Sequence, residues 1–179
     1  MMNRYLLGIF AGLLVTLLGC HRDEITVSLV SKVPQMESVA APAAADSNLK
    51  WRSLSSWKTM PASPPRLASF EIPVSGRICE LSITSFPGDT GGLLANVNRW
   101  RSQLGLAPIE SDQLPALLKT VPGSSFQFQW IELVAQDRAM TVAILTDESQ
   151  SWFFKVTGKR QDVRAVHPEF RQFLKTVSR

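Results

Sequence analysis

From Ser125 to Thr157 the chain alternates apolar and polar residues in three consecutive stretches divided by short polar turns. In Ser125–Ala135, Phe126, Phe128 and Trp130 alternate with Gln127 and Gln129. In Ala139–Leu145, Met140, Val142 and Ile144 share a face, and Ser151–Thr157 reads SWFFKVT. The turns are Gln136-Asp137-Arg138 and Asp147–Gln150. A period of two sends alternate side chains to opposite faces of a sheet, and connections this short join antiparallel neighbours. The segment therefore predicts an antiparallel meander.

Two more strands are expected upstream, Leu67–Ile72 and Arg77–Phe86, with Pro73–Gly76 turning the chain between them. In the second, Cys79, Leu81 and Ile83 lie on one face, and Glu80, Ser82 and Thr84 on the other. Cys79 thus reads as a small buried hydrophobe rather than a reactive thiol. Trp51, Trp57 and the prolines at 61, 64 and 65 suggest an extended lead-in laid on the core.

Two helices are expected to cover this sheet. After the turn Gly88-Asp89-Thr90-Gly91-Gly92, Leu93, Val97, Trp100 and Leu104 recur at helical spacing, with Asp89 or Thr90 as cap and Gly105 as stop. Asn96, Arg99 and Gln103 flank that apolar stripe on one side and form a candidate recognition surface. The competing reading has the amides bonding nearby backbone and the arginine solvated. The glycine turn lacks the G-K-[ST] ending of a phosphate loop. At the C-terminus Val163, Val166, Phe170, Phe173, Leu174 and Val177 form a second amphipathic pattern, with Pro168 either starting the helix after His167 or kinking a longer one. A short helix is expected within Pro108–Val121, with Ser111 as cap. The expected fold is α+β, an antiparallel sheet of about five strands packed with two main helices in a two-layer sandwich, over residues 51–179.

The N-terminus places the protein. Arg4 precedes an apolar run from Tyr5 to Leu18, too short to span a bilayer in comfort, and residues 1–19 read as a secretory signal. Residues 20–50, beginning at Cys20 and rich in alanine and small residues around Pro42, read as a flexible tether.

Several chemistries are excluded by what is absent. The net charge of +4 is spread along the chain, unlike a nucleic-acid footprint. With two cysteines and two histidines, no cluster has zinc-ligand spacing, and neither metal nor cofactor is expected. Within the domain His167 is the sole histidine, and it is read as a helix-boundary residue. Glu71, Glu80 and Glu132 alternate with apolar neighbours as solvent-facing residues do, so no catalytic residue and no enzyme is expected.

Leu17-Leu18-Gly19-Cys20 resembles the bacterial lipobox, apart from Leu at its second position. The resemblance implies cleavage before Cys20 and its acylation, which would anchor the protein to a membrane through several acyl chains. His21, where an aspartate would signal inner-membrane retention, favours the outer membrane. The segment Trp152–Gly158 with Val163, Phe170, Phe173 and Leu174 is similar to the closing strand and helix of PsbP-like domains. The helix motif from Gly91 to Leu106, with Arg66, Phe70 and Phe86-Pro87-Gly88, resembles a family of uncharacterised lipid-anchored bacterial proteins. These resemblances imply a periplasm-facing envelope lipoprotein that acts as a non-catalytic protein-interaction or assembly module. The alternative is binding of a small ligand in a sheet–helix cleft, with Trp100, Trp130 and Trp152 as candidate walls.

Overall fold

Ser75 and Gly76, at φ 47° and 72°, make a two-residue turn in which both residues are left-handed. Such a turn matches the twist of the flanking strands, and it joins β2 (Arg66–Val74) to β3 (Arg77–Pro87) in register Val74↔Arg77. This hairpin is one half of a computed structural model that describes residues 49 to 179. A three-residue strand, β1 (Lys58–Met60), extends it at the outer edge. The other half is the expected meander, β5 (Gln127–Val134), β6 (Arg138–Thr146) and β7 (Gln150–Lys159), preceded at its edge by β4 (Leu118–Pro122). The seven strands are ordered β1-β2-β3-β7-β6-β5-β4, and every neighbouring pair is antiparallel.

The class inferred from the sequence, α+β with an antiparallel sheet, is the class found, and the sheet is wider by two edge strands. β1 lies in the lead-in read as merely extended. β4 occupies the end of the segment expected to be helical, where only Leu114–Leu117 (α2) is helix. Propensity favours helix in the run Leu114–Val121, but pairing with β5 and burial of Val121 override it.

Helices lie on both faces of the sheet, adding a layer to the two-layer sandwich expected, because β6 and β7 bury residues on both of their faces. α1 (Leu93–Gln103) buries Val97 and Trp100 against Ile131, Met140, Val142, Ile144 and Phe153. On the opposite face α3 (Arg160–Ala165) and α4 (His167–Leu174) pack Val163, Phe170, Phe173 and Leu174 onto Leu81, Phe128, Trp130 and Phe154. Pro168 sits in the first turn of α4, and Val166–Phe170 bonding carries the backbone through the junction, so the C-terminal pattern is two helices at a bend. Leu49 is buried and Lys50 pairs with Ser178, so the packed region begins just before Trp51. The described residues all fall within one compact unit. The expected signal sequence, Cys20 and nearly all of the expected tether lie outside the described residues.

α1 does not begin at Asp89 or Thr90. Its N-cap is Gly92, with no side-chain cap. The two residues instead shape the turn: Asp89 Oδ1 accepts from the Gly91 amide at 3.2 Å, and Thr90 Oγ1 accepts from Asn96. The far end is as expected. Gly105, at φ 71°, follows the C-cap Leu104, while the amides of Gly105 and Leu106 bond back to Ser102 and Arg101. This double closure needs a left-handed residue, which glycine supplies at least cost.

Candidate functional site

β5 and β6 are apolar on both faces, so both of their faces are covered. Ile131 and Leu133 point to α1, and Phe128 and Trp130 to α4. β2 and β3 are apolar on one face only. Phe70, Ile72, Leu81 and Ile83 join the core, whereas Ser69, Glu71, Glu80, Ser82 and Thr84 point the other way. α1 therefore covers half of its sheet face and stops at β7. The step from helix to bare sheet is a groove.

The part beside α1 is a cavity of about 270 Å³. Asn96, Arg99, Trp100 and Gln103 form its wall, Ser82, Thr84, Phe153 and Lys155 its floor, and Pro65 and Arg66 its opposite rim. All three residues of the expected recognition set thus face one space. They do not play one part. Asn96 is 1% exposed and fully engaged: Nδ2 donates to Thr90 Oγ1 and Gly92 O, each at 3.0 Å, and Oδ1 accepts from Arg99 Nη1 at 2.7 Å. It locks the glycine turn and aims Arg99. Arg99 and Gln103 are exposed on the groove wall. Trp100 is core, 5% exposed and edge-on to Phe153 at 5.3 Å, with one edge on the cavity.

Two cations missed at the level of sequence complete the groove. Arg66 pairs with Glu80 and donates to Ser69 Oγ at 3.2 Å. Lys155 lies between Ser82 of β3 and Val142 of β6, half-buried, and forms no ion pair among the described residues. Burial, and then the charge of Arg66, push its ammonium below the ordinary lysine range, against a smaller pull from Glu80. The signal for it was Lys155 itself, a charge interrupting the apolar run of β7. Beyond Arg66 the groove continues over Glu71, Glu80, Ile78 and Arg138 as a wider cavity of about 470 Å³.

The three carboxylates are not alike in their surroundings. Glu71 and Glu80 are direct cross-strand partners, each held by a cation, Lys58 at 3.3 Å and Arg66 respectively. Glu132, expected to face solvent, is half-buried on the α4 side. Its Oε1 accepts from Trp130 Nε1 at 2.9 Å and meets Lys119 Nζ at 3.5 Å. Burial raises Glu132, but the Trp130 bond, nearby His167 and Lys119 together hold it below the ordinary range. His167 does begin α4, as read from the sequence, and its Nε2 also lies 2.9 Å from Thr141 Oγ1. Burial chiefly lowers it. A hydroxyl beside an imidazole has the form of a nucleophile and base, but Thr141 is 1% exposed, at the bottom of a cavity bordered by α3 and α4. Cys79 is fully buried, and burial pushes its thiol up to about 11, so it is a packing residue. Trp130 is fully buried in the core, and Trp152, also buried, borders only a small cavity of about 110 Å³ with Asp147, Gln150 and Arg179.

No family model matches the chain, and no curated protein matches it. Among solved structures, it is similar to LpqN, described as involved in cell envelope biogenesis of Mycobacterium tuberculosis. The TM-score is 0.44 and the identity 8%, over 73% of this chain and 82% of that one.

Proposed function

We propose that this protein is a lipid-anchored component of the bacterial cell envelope, tethered through Cys20 and favouring the outer membrane, whose domain binds a protein partner without catalysis. One observation carries the reading: Arg99 and Gln103 stand on the wall of a groove whose floor holds Lys155, unpaired among the described residues. The cavity beside α1, at about 270 Å³, falls below the roughly 300–1,000 Å³ usual for small-ligand pockets. It is also continuous, past Arg66, with the trough over β2 and β3. That shape suits an extended segment of a partner better than an enclosed small molecule. Arg99 and Lys155, neither matched by a carboxylate among the described residues, favour an acidic residue at the α1 end of that segment.

The test is chemical crosslinking of the lipidated protein in its native envelope, with Cys20→Ala and the double variant Arg99→Ala/Gln103→Ala run alongside. The reading expects a partner captured by the wild type and lost with the double variant, whose melting temperature stays near wild type because both side chains are exposed. It also expects Cys20→Ala to leave the membrane fraction. A captured partner equally retained by the double variant would move the interface elsewhere on the domain.

A further inference from the structure

The sheet carries a second concentration of charge that neither the fold nor the groove uses. On the face opposite α1, a cavity of about 340 Å³ opens between the ends of β4, β5 and β6 and the helices α3 and α4. Lys119, Arg160, Arg164 and His167 reach it from three different elements. The sole carboxylate in its lining, Glu132, is already matched by Lys119 and the Trp130 indole. Arg160 and Arg164, four residues apart, stand above one another on the same side of α3. Among the described residues neither guanidinium forms an ion pair or a side-chain hydrogen bond.

The surroundings deepen the imbalance. The same two arginines border an adjoining cavity of about 510 Å³ that also takes in Lys159 and one carboxylate, Asp137, so cations outnumber anions there three to one. Lys159 lies directly across from Arg138 in the β6–β7 register, an opposition of like charges that weakens a sheet. The half-buried arginine Arg77 offers the contrast: it is spent on Asp162, with both bonds at 2.6 Å. The fold therefore pairs the cation it uses for structure and leaves Arg160 and Arg164 unpaired among the described residues.

We propose that the α3–α4 cavity is a binding site for a phosphate group, gripped by Arg160 and Arg164 with Lys119 and His167 at its edges. A planar guanidinium presents a fork of N–H donors that matches two phosphate oxygens, and two such forks on one helix face serve a tetrahedral anion better than scattered lysines do. The phosphate group can belong to a free anion or to a phospholipid headgroup.

The test uses the full chain in neutral detergent, titrated calorimetrically with inorganic phosphate and, separately, with glycerophosphoglycerol, the water-soluble headgroup of an anionic lipid. Saturable binding of either probe is expected, and which one binds tells free phosphate from headgroup. Arg160→Gln/Arg164→Gln should weaken it at least tenfold. Arg164→Lys, which keeps the charge and loses the fork, should weaken it several-fold. Arg52→Gln/Lys175→Gln removes the same charge elsewhere and should leave binding unchanged. Absence of binding by both probes would overturn the proposal, as would an equal loss in the Arg52/Lys175 control.

Discussion

Replacing Lys155 by methionine should make the domain more stable and less able to bind. The side chain, half-buried, runs along the boundary between the covered and bare halves of the sheet, facing the like charge of Arg66 and lacking an ion-pair partner among the described residues. Methionine keeps the apolar stem against Val142 and Phe153 and removes the charge that burial penalises. A gain of about 0.5–2 kcal/mol is the usual size for relieving one such local conflict. For a domain of this length each kcal/mol moves the melting temperature by about 3–5 °C. The pH dependence gives an independent check of the cause. The folded-state pKa of Lys155 is depressed, so between that value and about 10.4 the unfolded chain holds more protons, and wild-type stability rises with pH through that window. The advantage of Lys155→Met should thus be full near pH 7 and shrink as the alkaline limit is approached. Melting curves followed by circular dichroism from pH 7 to 10.5 measure both, and crosslinking to the partner measures the loss of binding. A variant that melts below wild type at neutral pH would show that the ammonium supports the fold, and the argument that it is held for a ligand would fail.

Three further outcomes are expected. Trp100→Ala should cost about 3–5 kcal/mol, because a buried indole packed edge-on to Phe153 leaves a cavity that the sheet cannot close; a melting temperature near wild type would refute its place in the core. Gly158→Ala would set a Cβ 2.7 Å from Cys79 Sγ, so a loss of about 1–3 kcal/mol is expected, reduced when Cys79→Ala is made in the same chain; equal losses in both backgrounds would show that the two sites do not touch. Asp162, whose carboxyl the Arg77 hydrogen bonds hold below the ordinary range, contributes stability that is present at neutral pH and lost as pH falls from about 4 through its folded value. Asp162→Asn should flatten that acid limb in urea titrations between pH 2 and 6, and an unchanged slope would exclude the pair as its source.

What the sequence disclosed followed the strength of its periodicity. β3, β5, β6, β7 and α1 each have a face set by three or more apolar residues in step, and they were legible to within a few residues. β1 and β4 were not, since an edge strand of three to five residues buries little and is made by its partner's hydrogen bonds. Asn96, Arg99 and Gln103 stood out because helical spacing puts them on one side. Their separate tasks depended on the turn at Thr90, whose left-handed backbone no local pattern announces. The groove itself was half-written. The polar face of β3 was visible, but the bare sheet beside α1 becomes a site only when β7, 60 or more residues further along, brings Lys155 next to Ser82. The cluster around His167 is likewise a product of topology, since Thr141 and Glu132 come from different strands.

The strand order sets the making of this sheet against the order in which the chain is made. β7 is the last strand of the chain and the middle strand of the seven. Until it arrives, β1 to β3 and β4 to β6 are two open ribbons, each with a long unpaired edge on the side where β7 will lie. Neither ribbon can bury its central residues alone, and the pairing of Glu80 with Thr157 has to close a long loop before it gains anything. An emerging chain is thus held unfinished, its sticky edges exposed, until residues 150–159 are released. Folding is then a single late event, in which one strand seals both halves at once.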